Sequence, residues 1–227
     1  MVAQVKQTAA VDADGSAPEE DVDERRRREQ SYLFEHRRQF RGLLAMIRAI
    51  IRRTARNDQS AEEYAGLLEG RLGALARVQD MLMRVPDEGA DLMELVSAEF
   101  LAQGVPEARV TLAGPSVPLS GKVAASLALA LHELTTNAIK FGALSAAHGR
   151  LGVAWQDIEE DGFLRLEWRE TGVPIVLTAP RAQGFGVELL ENTLPYELGA
   201  RTSVEFAPGG LTCVIEFRPR KGRGEPL

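Results

Sequence analysis

The sequence has 227 residues, of which 44% are hydrophobic and 26% are charged, and its formal net charge is -6. These values are typical of a soluble globular protein with one large or two small domains and a core of ordinary size. The negative charge disfavours a nucleic-acid partner, because phosphate binding needs a positive surface. A run of arginines at residues 25–28 is flanked by Glu24 and Glu29, which is typical of a solvated helix start.

The single cysteine, Cys213, lies in an apolar run and is predicted to be a small core residue rather than a thiol nucleophile. One cysteine excludes an intramolecular disulfide, as expected in a reducing compartment. The first 23 residues lack the apolar core of a signal peptide, and no segment approaches the roughly 18 apolar residues of a spanning helix. We therefore expect a cytoplasmic protein without a membrane-spanning segment.

The N-terminal part of the chain is predicted to be a tail followed by a long helix. Residues 1–23 are acidic, small and without apolar periodicity, which predicts a disordered tail. A helix is predicted over residues 23–56, because its apolar residues recur at spacings of three, four and seven and form one stripe. The stripe consists of Leu33, Phe40, Leu43, Leu44, Ile47, Ile50 and Ile51.

A second amphipathic helix is predicted over residues 61–84. Ser60 and Glu63 form a capping-box pattern at its start. Two long amphipathic helices joined by a short connection predict an antiparallel hairpin over residues 24–86. Because a hairpin cannot bury both apolar stripes by itself, we expect it to pair with a second copy into a four-helix bundle, which makes the protein a homodimer.

From residue 91 to residue 219 the pattern changes to mixed helices and strands, so the whole chain is predicted to be an α+β protein. Helices are predicted over residues 92–101, 122–141 and 187–194. Strands are predicted over residues 110–113, 151–156, 163–169, 202–206 and 211–217. A glycine-bearing loop at residues 181–186 precedes the last helix, and residues 220–227 are expected to form a flexible tail.

The predicted helix at residues 122–141 carries the most informative pattern. Glu133, Asn137 and Lys140 stand at positions i, i+4 and i+7 and therefore share one helix face. The Asn137 oxygen can bind Mg²⁺, Lys140 can neutralise phosphate charge, and Glu133 can accept a proton from an attacking group. This face is either a magnesium-phosphate site or a solvated polar face of a buried helix.

Two further segments contain residue types that suit a nucleotide. The strand that includes Trp168 ends at Glu170 and Gly172, where a carboxylate can accept a hydrogen bond from an adenine amino group. Residues 184–186 (Gly-Phe-Gly) open a helix, where glycines let backbone amides approach phosphates and the helix dipole favours an anion. A Gly-x-Gly pattern on its own is more often a turn.

Together and in this order, these segments resemble the Bergerat-type ATP-binding domain of sensor histidine kinases, and in particular the HWE family. The family's marks are a His in its first nucleotide motif and a Trp-x-Glu in the next, which stand here as His132, Trp168 and Glu170. The resemblance covers residues 110–217 and extends weakly through the hairpin from residue 33. It implies an α/β sandwich domain with ATP and Mg²⁺ as cofactors.

The resemblance also implies roles for single residues. Glu133 matches the general base, Asn137 the magnesium ligand and Lys140 a phosphate contact. Glu170 replaces the usual adenine-reading Asp. The nucleotide-binding positions implied in this way are His132, Asn137, Lys140, Trp168, Glu170, Gly172, Gly184, Phe185 and Gly186.

A histidine kinase of this family needs a phosphoacceptor His on the first hairpin helix. Aligning residues 43–45 (Leu-Leu-Ala) with the family's Leu-Leu-Ala places Arg38 at the His position and Gly42 at an Asn position. His36 lies two residues earlier. At about 100° per residue, His36 falls near the apolar stripe and Arg38 on the opposite, solvated side. His36 is therefore either the phosphoacceptor or a packed or interfacial histidine.

Three functions remain open at this point. The first is an ATP-dependent protein-histidine kinase that phosphorylates His36 and passes the phosphoryl group to a response-regulator Asp. A separate sensor protein would be expected to supply its input, because no sensor domain precedes the hairpin. The second is a dimeric pseudokinase that docks a response regulator or a kinase. The third is a phosphotransfer protein with an idle nucleotide domain, which the intact nucleotide residues disfavour.

Overall fold

The computed structural model describes residues 19–55, 59–85, 89–158, 162–173 and 184–220. The chain divides into two compact units between Ala49 and Ile50. Most of the predicted N-terminal tail and all but the first residue of the predicted C-terminal tail lie outside the described residues. The last five residues of the predicted N-terminal tail belong to the first helix, whose acidic start suits a helix N-terminus.

The two predicted N-terminal helices are present. Helix α1 spans Glu19–Thr54 and helix α2 spans Ala61–Arg84. The predicted capping box of α2 is confirmed, since the Glu63 backbone N–H donates to Ser60 Oγ over 3.1 Å and the Ser60 backbone N–H donates to Glu63 Oε2 over 2.8 Å. This reciprocal pair satisfies two backbone donors that a helix start leaves without partners.

The apolar stripe of α1 is only partly covered in the single chain. Phe40 is 62% exposed, and Leu44 and Ile51 are also exposed, whereas Ile50 is fully buried in the second unit. An exposed row of large apolar side chains is what a helix with an additional partner would present. The antiparallel hairpin, the four-helix bundle and the homodimer stay predictions.

The predicted strands are confirmed to within two residues at each end. A two-stranded sheet that the sequence did not predict pairs β1 (Ala90–Asp91) with β3 (Pro118–Leu119). The main sheet consists of five strands, β2 (Val110–Ala113), β4 (Arg150–Ile158), β5 (Phe163–Thr171), β6 (Arg201–Ala207) and β7 (Gly210–Phe217). Their order in the sheet is β2-β4-β5-β7-β6. The β2–β4 pair is parallel and the other pairs are antiparallel.

One face of the sheet is packed against helices. On β5, Leu164, Leu166 and Trp168 alternate with more exposed residues and are fully buried, because side chains two residues apart share a strand face. Cys213 lies opposite Trp168 on β7 and is buried, as predicted. Burial raises the pKa of the Cys213 thiol to about 12, which agrees with a core residue rather than a nucleophile.

Three helices build the layer that positions the site. Helix α3 spans Leu92–Ala102 and α4 spans Gly121–Lys140. Helix α3 packs on the sheet through Phe100, whose ring lies edge-to-face against Trp168 at 5.9 Å. Helix α4 is buried around most of its circumference, and both α2 and α3 pack against it.

Helices α2 and α4 lie antiparallel. Arg71 of α2 contacts Glu133 of α4, and eleven residues further along α2 the side chain of Leu82 lies 3.2 Å from the position of a Cβ on Gly121. The sequence predicts a domain boundary at residues 86–91, whereas the structure divides the chain between Ala49 and Ile50. The reason is that α2 packs against α4, so that it belongs to the same compact unit as the main sheet and its helices.

The last predicted helix is longer than expected and changes its pitch. It comprises α5 (Phe185–Glu188), one π-helical turn (Leu189–Thr193) and α6 (Leu194–Leu198). Pro195 does not end it, since it falls in the first turn of α6, where a missing N–H is tolerated. Gly199, with φ +63°, closes the segment. Among the described residues, no helix is both long and apolar enough to span a membrane.

A candidate nucleotide site along α4

The polar face of α4 forms as the spacing predicts. Glu133, Asn137 and Lys140 all lie within the helix, so they share one face. Asn137 and Lys140 are exposed, whereas the Glu133 side chain is only 13% exposed. Thr136 stands beside them, and its buried hydroxyl has no hydrogen-bond partner among the described residues. The face thus offers an amide, an ammonium and an unsatisfied hydroxyl next to a partly buried carboxylate.

Glu133 is held by an arginine that sequence analysis did not single out. Arg71 Nε donates to Glu133 Oε1 over 2.7 Å, and the arginine side chain is 5% exposed. Its Nη1 donates to Thr54 Oγ1 over 2.6 Å, and its guanidinium lies 3.8 Å from the centre of the Phe185 ring. One buried cation therefore joins the end of α1, the predicted general base and the start of α5.

The glycine-bearing loop reaches the same carboxylate. A Cβ on Gly186 would lie 3.1 Å from Glu133 Cβ, so the start of α5 packs closely on α4 and leaves no room for a side chain. Around Gly184, by contrast, a Cβ would meet no atom within 4 Å. Residues 181–183 of the predicted loop lie outside the described residues. The structure thus brings Glu133, Phe185 and Gly186 together.

Glu170 lies at the other end of α4 and is enclosed by neutral donors. The Ala143 backbone N–H donates to its Oε2 over 2.7 Å, and the Trp168 indole N–H donates to its Oε1 over 3.0 Å. Any side chain on Gly142 would overlap Glu170 Oε2. Burial raises the pKa of Glu170 above its ordinary value, although these two hydrogen bonds act in the opposite direction.

The loop that supplies the Ala143 N–H is fixed by Arg109, a second residue that sequence analysis missed. Its guanidinium donates to the carbonyl oxygens of Ala143, Leu144, Ala146 and Gly149, over distances of 2.5 to 3.3 Å. Gly172 stands against this loop with φ +72°, and a Cβ there would lie 2.9 Å from the His148 carbonyl oxygen. Only glycine suits that combination of backbone angle and space.

Sequence comparison now identifies the family. The family model described as HWE histidine kinase matches residues 34–116. The chain belongs to the HWE histidine kinase family. A blue-light-activated histidine kinase of Brucella ovis is 34% identical over 198 residues, which cover 85% of this chain and 40% of that protein. A kinase of the same name from Brucella anthropi is 34% identical over 179 residues, covering 78% of this chain and 36% of that protein.

The chain thus spans about 40% of the length of the curated relatives that it matches. Solved structures show the same fold. The histidine kinase domain of the Erythrobacter litoralis blue-light activated histidine kinase has a TM-score of 0.55 at 18% identity, covering 76% of this chain and 93% of that chain. A longer structure of that kinase has a TM-score of 0.61 at 17% identity, covering 80% and 59%. These likenesses confirm the predicted α+β fold class.

The His and Trp that mark the HWE family are both buried here. Trp168 has no exposed surface, and His132 is 6% exposed. His132 Nδ1 lies 2.9 Å from Glu99 Oε1, and Glu99 also pairs with Arg77 of α2. Burial acts to raise the pKa of Glu99, but the hydrogen bond and charge of His132 and the charge of Arg77 outweigh it, so that this pKa lies below its ordinary value. In this structure both family residues hold carboxylates in place.

Two residues of α1, His36 and Arg38, are the ones that bear on the phosphoacceptor. His36 lies within α1, but its side chain falls outside the part of the chain that the structure describes. Arg38, which the alignment of residues 43–45 places at the acceptor position, is exposed. The interpretation of His36 therefore stays a prediction.

One signal in the sequence could have revealed Arg71. Apolar residues of α2 recur at alternating spacings of four and three, and Arg71 occupies one of those positions, in the series Tyr64, Leu68, Arg71, Leu75, Val78 and Leu82. An arginine on an apolar stripe is buried on folding and needs an anionic partner. Arg109 has no comparable signal, because its partners are backbone carbonyls of a loop distant in sequence.

Proposed function

We propose that this chain binds ATP with Mg²⁺ and acts as an HWE-type protein-histidine kinase of two-component signalling. The observation that carries the proposal is the arrangement along α4. Glu133, Asn137 and Lys140 share one face, and the buried carboxylate of Glu170 accepts from the backbone N–H of Ala143, three residues after the helix ends. A face for phosphates and a metal ion, and a carboxylate for the adenine ring, thus lie along and just beyond one helix.

The adenine end of the proposed site rests on Glu170. A carboxylate can accept about four hydrogen bonds, and Glu170 accepts one at each oxygen from the protein. Both donors are neutral and burial raises the pKa of this group, so a further N–H donor would stabilise its charged form. An adenine amino group is such a donor, whereas a guanine would present a carbonyl oxygen there.

The phosphate end rests on the exposed face of α4. Among the residues that the structure describes, no group of three or more His, Cys, Asp or Glu side chains could hold a metal ion. A magnesium ion at the Asn137 amide oxygen would therefore need phosphate oxygens and water as its other ligands, which suits Mg²⁺. When bound, it would neutralise phosphate charge. Lys140 would add a positive charge, and the Thr136 hydroxyl would find a hydrogen-bond partner.

Glu133 is proposed as the general base. Its side chain shares the face of α4 with Asn137, so a carboxylate that can accept a proton belongs to the face that would hold the phosphates. His36 of α1 is the proposed attacking group, which would then pass the phosphoryl group to an Asp of a response-regulator receiver domain. A homodimer through the helical hairpin and input from a separate sensor protein complete the proposal.

A second candidate function is a dimeric pseudokinase that binds ATP and acts by docking a response regulator or a kinase. The exposed Arg38 favours it, because that residue occupies the acceptor position when residues 43–45 are aligned with the family pattern. An arginine has no imidazole nitrogen to become phosphohistidine, and its guanidinium stays protonated and is a poor nucleophile. A phosphotransfer protein with an idle nucleotide domain is disfavoured by the arrangement of Asn137, Lys140 and Glu170.

Labelling with γ-labelled ATP and Mg²⁺ separates these functions. Acid-labile, base-stable label on the wild type that is lost in both His36→Ala and Asn137→Ala would support the kinase with His36 as acceptor. Measurable ATP binding without any label would favour the pseudokinase. Label that persists in His36→Ala but not in Asn137→Ala would move the acceptor to another residue.

A further inference from the structure

We propose that Arg71 is a positioning residue that restrains catalysis by holding the general base Glu133 in a buried ion pair. The inference rests on the proposed function, since it concerns the same site. The Arg71 and Glu133 side chains are 5% and 13% exposed and are joined over 2.7 Å. Helix α2 must leave this position on α4 before the carboxylate can serve an attacking group.

The guanidinium of Arg71 is engaged on three sides. Its Nε binds Glu133, its Nη1 binds Thr54 Oγ1 over 2.6 Å, and its face stacks on the Phe185 ring. The Thr54 hydroxyl in turn donates to the Ile50 carbonyl oxygen over 2.6 Å, so it both donates and accepts. Because these three contacts converge on one guanidinium, the docked position is one defined arrangement and not one of many loose contacts.

Two other arginines reinforce the docked state. Arg77, six residues further along α2, pairs with Glu99, which holds His132 directly beside Glu133. At the end of α1, Arg53 Nε lies 3.3 Å from Glu188 Oε1, and Arg53 Nη1 donates to Thr193 Oγ1 over 2.5 Å. One face of α2 is therefore bound to α3 and α4, and the end of α1 is bound to α5 and to the π turn.

The ion pair obstructs the chemistry for a simple reason. In the transfer, the attacking nitrogen or water oxygen bonds to the γ-phosphorus, the bond from that phosphorus to the bridging oxygen breaks, and its electron pair leaves with ADP. The proton of the attacking group goes to Glu133. A general base must come within about 3 Å of that proton's donor atom. Oε1 of Glu133 is taken by Arg71, and Gly70 and Arg71 stand against the helix at His132 and Glu133.

The same contacts suggest how the restraint is released. Arg53 and Thr54 are the last two residues of α1 and lie in the part of the helix that belongs to the second compact unit. A shift of this end of α1 would move the Thr54 hydroxyl that holds Arg71 and the Arg53 side chain that holds Glu188. Release of Glu133 is in this way coupled to whatever displaces the end of α1.

The test compares Arg71→Ala with wild type in the full chain, with Arg71→Lys as the conservative variant. Arg84→Ala is the matched control, because Arg84 also pairs from α2 to a carboxylate of α3, at an exposed position. The readouts are the Kd for Mg-ATP, the KM and kcat for total γ-phosphate release (phosphoprotein plus inorganic phosphate), and amide hydrogen exchange in residues 61–84. Total release is used because it does not depend on which group is the acceptor.

We expect Arg71→Ala to raise kcat about tenfold or more, with a KM for ATP within about twofold of wild type and faster exchange across α2. Arg71→Lys should restore much of the restraint, and Arg84→Ala should match wild type. If Arg71→Ala does not fold, Arg71→Gln, which keeps hydrogen-bonding atoms without the charge, gives the same comparison. Retained ATP binding with an unchanged or lower kcat would overturn the restraint while leaving the proposed function standing. Absence of ATP binding in wild type and variants alike would overturn the proposed function, and the restraint with it.

Discussion

The indole N–H of Trp168 donates to Oε1 of Glu170 over 3.0 Å, so the two residues of the Trp-x-Glu motif are bonded to each other. Their spacing of two places both side chains on the same face of β5. Because Trp168 has no exposed surface, its contribution to the site is to fix the carboxylate, while its ring packs in the core against Phe100. The motif is thus a carboxylate together with its own support.

Replacing Trp168 with Phe should weaken ATP binding without removing the apolar ring from the core. Glu170 Oε1 would lose its buried donor, which costs about 2 kcal/mol in the free energy of unfolding. We expect about a tenfold increase in the Kd for ATP, because the carboxylate is then held by the Ala143 N–H alone. Calorimetric titration and chemical denaturation measure the two quantities. An ATP affinity equal to wild type would contradict the supporting role of Trp168.

Glu170 should give the protein a specific pH dependence of stability. Its pKa in the folded state is raised by burial above the ordinary value of 4.5. The folded state therefore binds this proton more tightly than the unfolded state, and the associated stability is present below pH 4.5 and is lost as the pH rises through the raised folded value. In Glu170→Gln this part of the pH dependence should vanish.

The comparison is made by measuring the free energy of unfolding of both proteins from pH 4 upward. The absolute stability of the glutamine variant is expected to be lower, since its amide N–H₂ would face a donor that the carboxylate accepts from. The diagnostic quantity is therefore the slope and not the level. Parallel curves for wild type and Glu170→Gln across this range would show that Glu170 ionises in the folded state as it does in the unfolded chain.

Arg109→Ala should disorganise the loop that supports Glu170. Arg109 binds four carbonyl oxygens of residues 143–149, and their loss leaves several polar groups unsatisfied. We expect the free energy of unfolding to fall by about 3 kcal/mol and the Kd for ATP to rise, because the Ala143 N–H would lose its fixed position. Arg109→Lys is the matched control for charge.

The donors of a lysine ammonium are all on one nitrogen, so they cannot reach the four carbonyl oxygens that the planar guanidinium of Arg109 binds. The lysine variant should therefore fall close to the alanine variant in both measurements. Recovery of wild-type stability by lysine would indicate that the positive charge alone matters, and not the fork of donors.

Much of this architecture follows from local patterns in the sequence. The Ser60–Glu63 capping box, the i, i+4, i+7 face of α4 and the alternation of β5 each depend on residues close in the chain, and all three are present as predicted. The side chain of Cys213 is buried in the core as its apolar neighbours indicate.

The partner of α2 could not be predicted in the same way. An apolar stripe indicates that a helix packs against something, but it does not specify which helix, and α2 lies against α4 in the structure. The choice becomes visible only through long-range pairs such as Arg71 with Glu133. The π turn at Leu189–Thr193 was also missed, since local helix propensity does not distinguish it from an α-helical turn.

The central claim is that the polar face of α4 binds a magnesium nucleotide, and a calorimetric titration of Mg-ATP tests it most directly. Wild type should bind ATP, with an affinity that falls at least about tenfold when Mg²⁺ is removed or when Asn137 is replaced by Ala. Asn137→Asp, which keeps an oxygen ligand, should retain part of the magnesium dependence. A wild type that binds no ATP, or one whose binding is the same in Asn137→Ala and without Mg²⁺, would contradict the account.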